Sequence, residues 1–150
     1  MATGSEKATA FEIKGLNQLL RVLNKLPKDL QNDIRDASNA IASDLGEGAK
    51  NAAAGNRQAA LAATGLKVKR DRVPTIRAAG TIRPGLKAQD IFFGAEFGGG
   101  RRPTTQQFRP HRGQDGYWLY PTARARGKRY FEMWAEAVDK AFKQWDHREG

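Results

Sequence analysis

Apolar side chains recur at helical spacing through the first part of the chain. In the stretch "LNQLLRVLNKLP" five leucines fall three or four residues apart or side by side, at Leu16, Leu19, Leu20, Leu23 and Leu26. This spacing predicts a first helix that ends near Pro27, because proline lacks the amide that a helix interior needs.

A second apolar stripe predicts a longer helix from about residue 28 to the low 60s. Its members recur every three or four residues on an otherwise polar segment: Leu30, Ile34, Ala37, Ile41, Leu45 and Ala49. Gly46, Gly48 and Gly55 are expected to bend or fray the second half, since each costs about 1 kcal/mol relative to alanine inside a helix. Thr64-Gly65 is the expected stop, where glycine tolerates the left-handed cap conformation.

After residue 65 the pattern changes to the alternation of β-strands. "LKVKR" places Leu66 and Val68 on one face and its cations on the other, which predicts a strand with one buried face. The segment "VPTIRAAGTIRPG" predicts a second strand, whose prolines favour an edge or a turn. The apolar run "DIFFGAEF" predicts a third, and "YWLYP", entered through the turn signal Asp115-Gly116, predicts a short fourth.

The chain closes on a predicted helix from about residue 127 to 146. Its apolar face consists of Phe131, Trp134, Val138, Ala141, Phe142 and Trp145, and we expect Trp134, Val138 and Trp145 to pack as core on the long helix and the sheet. Two N-terminal helices, a small antiparallel sheet of about four strands and a C-terminal helix packed on it predict the α+β class.

The length of 150 residues favours one domain, which we place at residues 12–146. Residues 1–11 are predicted to be a flexible leader and residues 147–150 a frayed tail. The basic loop 98–116 is predicted to be mobile, because its composition buries too little apolar surface to offset the entropy of ordering it. The sequence has no signal-peptide pattern and no apolar run of membrane-spanning length, so we expect no membrane partner.

Basic charge is concentrated in the middle of the chain. The formal net charge is +10, and residues 66–129 carry 15 Lys and Arg residues against the four acids Asp71, Asp90, Glu96 and Asp115. This asymmetry predicts a polyanionic or acidic partner near the central segment.

Residues that could carry catalysis or bind a metal are few. The chain has no cysteine, which excludes a disulfide framework and a thiolate metal site. His111 and His147 lie in a loop and at the terminus, without the paired spacing of metal ligands. The acidic residues are scattered, and "GAEFGGG" fits neither common phosphate-binding glycine pattern. We therefore predict a protein that is not an enzyme and uses no cofactor.

Aromatic and arginine residues interleave between residues 97 and 130, a combination that nucleic-acid-binding proteins use. For the aromatic residues we favour a place in the core; they are Phe97, Phe108, Tyr117, Trp118, Tyr120 and Tyr130. The arginines are interpreted as meeting another surface, because arginine is enriched at interfaces; they are Arg101, Arg102, Arg109, Arg112, Arg124, Arg126 and Arg129.

The order of these patterns resembles a known family. A short helix "IKGLNQLLRVLNKLP" leads into a long helix ending near "TG"; a strand ending in "EFG", a variable Gly/Pro/Arg loop and an aromatic "P-x-x-R" segment then lead into a final helix. Over residues 12 to 145 the chain resembles the tail-completion proteins of long-tailed bacteriophages, also called neck, head–tail joining or minor tail proteins.

The resemblance implies a structural virion protein that forms a ring, with sixfold symmetry to match the tail, around the DNA channel. Its partners would be further copies of itself, the head-side connector ring, the tail-side terminator or tube proteins and the passing DNA. It would act at the head–tail interface of the virion and lie in the host cytoplasm during assembly. Glu96 would be a fixed acid near the subunit boundary, facing a neighbour's arginine. Arg101, Arg102, Arg109, Arg112, Arg124 and Arg126 would contact a subunit or partner ring.

A second hypothesis comes from the charge alone. A nucleic-acid-binding module could use the basic segment 66–129, and its phosphate contacts would make affinity fall steeply with salt.

Overall fold

The computed structural model describes residues 15–99 and 108–149, and it mixes helix and sheet. In these two ranges the helices are α1 (Leu16–Leu23), α2 (Lys28–Ala53), α3 (Arg57–Ala63), α4 (Ala88–Phe97) and α5 (Leu119–Glu149). The strands are β1 (Leu66–Lys69), β2 (Thr75–Ala78), β3 (Thr81–Arg83) and β4 (Leu86–Lys87). A short 3-10 helix spans Gly113–Asp115. The predicted α+β class is confirmed at this level, while the predicted leader 1–11 lies outside the described residues.

The strands form two antiparallel hairpins rather than one sheet of four strands. In the first, β1 pairs with β2 in a register that sets Lys67 opposite Arg77. In the second, β3 pairs with β4 across a turn at Pro84. The first predicted strand is confirmed, and the segment predicted as the second strand contributes both β2 and β3. As expected, its prolines lie outside the strands.

The predicted second helix is two helices, α2 and α3. The break lies at residues 54–56, where Asn56 has an extended backbone and its Oδ1 accepts a hydrogen bond from the amide of Ala59 at 3.0 Å. An asparagine in that role satisfies an amide that a helix start would leave unpaired, so it begins a new helix. The glycine-rich end therefore breaks cleanly instead of fraying.

The predicted stop at Thr64-Gly65 is confirmed, but for a different physical reason. No left-handed conformation is found at Gly65. A Cβ atom placed there would lie 2.5 Å from the Cβ of Ala88. Gly65 is needed because the start of α4 packs directly against the chain where α3 ends.

The segment "DIFFGAEF" belongs to helix α4, so its prediction as a strand was wrong. The buried residues of α4 are Ala88, Ile91, Phe92, Ala95 and Glu96, which is the three- and four-residue spacing of a helix. Asp90 supports the helix start by accepting a hydrogen bond from the amide of Lys87 at 3.2 Å. Two adjacent phenylalanines suggest a strand, but the spacing of the buried positions decides the structure.

The segment "YWLYP" is also not a strand, because α5 begins at Leu119 within it. Pro121 lies in the first turn, where a missing amide costs nothing since no helical acceptor precedes it. At the other end α5 continues through Glu149, and the guanidinium of Arg148 lies 2.6 Å from the carboxylate of Asp29. The predicted fraying of residues 147–149 is therefore corrected.

Two clusters of buried side chains form the core, and α2 contributes to both. One cluster joins the end of α2 to α3, α4 and Trp118; the other joins α1 and the start of α2 to α5. Trp134 and Val138 belong to the second cluster and Trp145 packs against it, which confirms their predicted core role on the long helix. Trp134 Nε1 also donates to the carbonyl of Arg72 at 2.7 Å.

Over the described ranges, none of the helices has the combined length and apolar content that crossing a membrane would require.

Candidate functional site

Three of the residues predicted to contact a partner, Glu96, Arg109 and Arg112, lie where α4 ends and α5 begins. Glu96 lies in the last turn of α4 and is fully buried. Its Oε2 accepts from the amides of Trp118 and Leu119 at 3.3 and 2.8 Å, and its Oε1 accepts from the amide of Tyr120 at 3.0 Å. These amides begin α5, where helical acceptors are lacking and the helix dipole favours a negative group.

The burial of Glu96 has an electrostatic consequence. Loss of water raises the pKa of its carboxyl above the ordinary value of 4.5, and the backbone hydrogen bonds from residues 117–120 oppose this rise only in part. Charged carboxylates are costly to bury, and hydrogen bonds from amides recover part of that cost. The interpretation of Glu96 as an acid that faces a neighbour's arginine is therefore corrected: its partners are the first amides of α5.

Gly116 makes this arrangement possible. Its φ angle is 72°, and a Cβ atom there would lie 2.0 Å from Oε1 of Glu96. Only glycine combines this left-handed conformation with the absence of a side chain.

Trp118 stabilises the junction of α4 and α5 from the side that faces the core. Its side chain is fully buried, its Nε1 donates to the carbonyl of Ala95 at 3.2 Å, and its ring meets that of Phe92 edge-on with 5.7 Å between centroids. Tyr130 is buried as well. The predicted core role of Trp118 and Tyr130 is confirmed: Tyr130 lies in the last helix as predicted, whereas Trp118 directly precedes α5 instead of lying in a strand.

The described part of the basic loop is attached to α4. The amide of Gly99 donates to the carbonyl of Arg109 at 2.8 Å, and the amide of Arg112 donates to the carbonyl of Phe97 at 2.7 Å. The Tyr117 hydroxyl donates to the carbonyl of Pro110 at 2.6 Å. These bonds connect residues 109–112 to α4 and to Tyr117, and the mobility of the loop 98–116 stays a prediction. Arg101 and Arg102 lie outside the described residues.

Two of the predicted arginines share one aromatic ring. The guanidinium carbons of Arg109 and Arg112 lie 3.9 and 5.1 Å from the centroid of the Tyr117 ring. Such contacts are favourable because the ring face is electronegative. They also cover the ring, so Tyr117 does not offer a free face to a nucleic-acid base.

Arg124 and Arg126 also have partners within the chain. Arg124 donates to the carbonyl of Asp115. Arg126 donates to Oδ2 of Asp44 at 3.0 Å, and the Tyr130 hydroxyl donates to the same carboxylate. The hydrogen bond from Tyr130 and the charge of Arg126 lower the pKa of Asp44. Two-fifths of the Arg126 side chain stays exposed, so a partner could still reach it.

A row of aromatic rings, exposed at Phe93 and partly buried at Phe97 and Tyr120, lies beside this junction; we call these three residues the aromatic face. Phe93 is 62% exposed, the largest exposure of any big apolar side chain in the described ranges. It stacks on Phe97 with 6.1 Å between centroids, and Phe97 meets Tyr120 at 5.2 Å. Burial, and secondarily the charge of Glu96, raise the pKa of Tyr120.

Sequence reasoning missed Phe93 because the segment was interpreted as a buried strand. With helical spacing applied from Ala88, Phe93 falls outside the buried stripe of Ile91, Phe92 and Ala95. That spacing is the signal that could have identified it.

His111 and His147 are both exposed. Across residues 15–99 and 108–149, no group of three or more histidine or acidic side chains is arranged to hold a metal ion. Comparisons of the chain with protein-family models, with curated proteins and with solved structures found no match.

Proposed function

We propose that this chain is a structural virion protein of a long-tailed bacteriophage: a ring-forming neck, or tail-completion, component that joins the head to the tail around the DNA channel. The order of motifs along residues 12–145 supports the assignment to this family. "EFG" ends a helix instead of the expected strand. The motif order therefore supports the proposal only through the sequence and the length of the chain. The aromatic face supports the proposed contact surface.

The aromatic face is the observation that carries the proposal. Leaving a phenylalanine exposed forgoes about 1.5–3 kcal/mol that its burial would contribute. Neighbouring rings hold Phe93 in its exposed position, because Phe97 stacks on it and Tyr120 packs against Phe97. Exposed apolar groups rimmed by polar residues are typical of protein–protein contacts, and a ring subunit needs such a contact on each side.

Arginine residues lie close to the aromatic face in the fold or in the sequence. Arg112 is joined through its amide to Phe97, and Arg101 and Arg102 follow the end of α4 closely in the sequence. An apolar centre with arginines at its margin matches the composition of interfaces. In the proposed ring the face covers a neighbouring copy, and the basic segment reaches that copy or the adjoining ring.

Analytical ultracentrifugation and negative-stain electron microscopy of the full chain test the proposal. We expect concentration-dependent association into closed rings with sixfold symmetry, and binding of the protein to isolated heads or tails that lack it. A protein that stays monomeric at every concentration and joins no ring on tail or connector complexes contradicts the proposed function.

The contact surface has its own test, with a matched control. Phe93→Ser should weaken association about tenfold or more, since a central aromatic anchor is worth a large share of an interface. Phe131→Ser removes another exposed phenylalanine, 42% accessible, that lies in α5 outside the aromatic face; association should stay within about twofold of wild type. Equal behaviour of the two variants, with rings still forming, means that the ring closes through another surface.

Arg101→Ser/Arg102→Ser tests the basic segment. We expect reduced head–tail joining and a monomer as stable as wild type within about 0.5 kcal/mol, the usual range for surface changes. Unchanged joining contradicts the role given to these arginines.

A further inference from the structure

The outward face of the β1–β2 hairpin is uniformly basic. Lys67 and Lys69 alternate with the inward Leu66 and Val68, and Arg77 is paired directly opposite Lys67. All three cations are exposed. We call these three residues the hairpin cations.

Like charges placed directly opposite each other on a sheet repel and destabilise the pairing. Lys67 and Arg77 are in that arrangement, and no acid stands between them in the register. Among the ion pairs and side-chain hydrogen bonds of residues 15–99 and 108–149, none involves a hairpin cation.

Other basic side chains of the central segment contrast with these three. The side chains that bond to an acceptor or contact an aromatic ring of the same chain are Arg70, Arg72, Arg109, Arg112, Arg124 and Arg126. The hypothesis that the arginines of the later loop bind nucleic acid is therefore weaker than the same hypothesis applied to the hairpin. Among the described basic residues of this segment, Lys67, Lys69 and Arg77 stand together on one face of a sheet without such a partner.

The next hairpin extends the basic surface. The turn that joins β2 to β3 passes Gly80, and the Nζ of Lys67 reaches to 3.0 Å from the position of a Cβ atom there. Arg83 and Lys87 on β3 and β4 are exposed as well.

We propose that the hairpin cations form a binding site for the phosphodiester backbone of nucleic acid. The composition of the face favours this ligand over a protein: it holds cations and the Thr75 side chain, with no exposed apolar group, whereas protein interfaces have an apolar centre and are depleted in lysine. Lys67 and Lys69 are about 6.6 Å apart along the strand, about twice the rise of 3.4 Å per nucleotide along the axis of a duplex.

Such a site recognises charge and not sequence. Base edges are read by planar hydrogen-bonding side chains or by stacked rings; the face carries one such side chain, Arg77, with no aromatic ring and no carboxamide, and a single arginine does not read a sequence. The inference does not depend on the proposed function, because it uses only the sheet, and ring formation uses the aromatic face.

The proposal can be tested by fluorescence anisotropy of the full chain with two labelled probes of unrelated sequence, a 20-bp duplex and a 20-nucleotide single strand. The duplex is about two helical turns long. The variant is Lys67→Gln/Lys69→Gln/Arg77→Gln. The control variant Lys25→Gln/Lys128→Gln/Lys140→Gln removes the same charge from exposed positions on other elements.

At about 50 mM salt we expect the hairpin variant to bind at least tenfold more weakly than wild type, and the control to stay within about threefold. Wild-type affinity should fall with salt, and the slope of log K against log salt should become shallower in the hairpin variant by about 0.9 for each phosphate that the variant no longer neutralises. The melting temperature of the hairpin variant should equal or exceed that of wild type, because cross-strand repulsion is removed.

Three outcomes overturn the proposal: wild type does not bind either probe, the two variants lose affinity equally, or poly-glutamate competes as well as the unlabelled duplex at equal charge. The second means that net charge alone governs binding. The third assigns the face to acidic polypeptides.

Discussion

At the scale of single residues, Glu96 is the most constrained polar group of the described chain. Its carboxylate is fully buried and accepts three amide hydrogen bonds at the start of α5, and no ion pair within residues 15–99 and 108–149 involves it. Two opposing effects act on its pKa: loss of water raises it, and the hydrogen bonds from the amides lower it. The pKa is raised overall, so the loss of water is the larger effect.

Glu96→Gln should lower the free energy of unfolding by about 1–3 kcal/mol, because one of its two acceptor atoms becomes a donor that faces backbone amides. The folded protein binds the Glu96 proton more tightly than the unfolded chain. The stabilisation from this proton is complete below pH of about 4.5 and is lost as pH rises through the raised folded pKa. In urea titrations from acid to neutral pH, the stability advantage of wild type over the variant should therefore shrink. An advantage that grows with pH would show that the amides prevail over burial.

Alanine substitutions at two glycines should change the free energy of unfolding in opposite directions. Gly116→Ala should cost more than about 2 kcal/mol, because it adds the left-handed penalty to the displacement of Glu96. Gly127 lies inside α5 and has no heavy atom within 4 Å of an added Cβ, so Gly127→Ala should stabilise the protein by about 0.5–1 kcal/mol. Both values come from the same denaturation experiment. Equal shifts in one direction would contradict the assigned conformations.

At the scale of elements, the helices with a long apolar stripe were predicted from sequence, and so was β1 with its alternation. Two of the failures, "DIFFGAEF" and "YWLYP", are short apolar segments in which a strand and a buried helix have the same composition. Their structure depends on partners far away in sequence: the start of α4 packs on Gly65, and the start of α5 is capped by Glu96. Local patterns do not contain that information, and for the same reason the site was predicted as a set of residues without its geometry.

The last helix allows a sharp test of the second core cluster. Trp134 is buried and its indole donates to the carbonyl of Arg72, so Trp134→Ala should destabilise the fold by about 3–5 kcal/mol. Met133, its neighbour in sequence, is 39% exposed, and Met133→Ala should change stability by about 0.5 kcal/mol or less. Thermal or urea unfolding followed by circular dichroism measures both. A stable Trp134→Ala protein that no longer assembles would identify this face of α5 as an interface.

At the scale of the whole molecule, α2 connects the two core clusters. Leu30, Ile34 and Ile41 belong to one cluster and Ala49 and Ala53 to the other. Since one continuous helix supplies both, opening one cluster exposes apolar surface at the border of the other. We expect a single cooperative unfolding transition.

Tryptophan fluorescence can report on each cluster separately. Trp118 lies in one cluster, whereas Trp134 and Trp145 belong to or border the other. In Trp118→Phe, and in the double variant Trp134→Phe/Trp145→Phe, the fluorescence midpoint should coincide with the circular dichroism midpoint of the same variant. A fluorescence transition that precedes the loss of helix in either variant would show that the clusters unfold independently.

The hydrogen bond between Gly99 and Arg109 has a consequence for engineering. It holds the amide of Gly99 and the carbonyl of Arg109, the residues on either side of 100–108, 2.8 Å apart. For a segment closed in this way, doubling its length adds only about 0.6 kcal/mol of closure entropy. A reporter peptide or a small domain inserted between residues 103 and 104 should therefore leave the helices around Glu96 assembled. The protein could then carry a label at a fixed place beside the aromatic face.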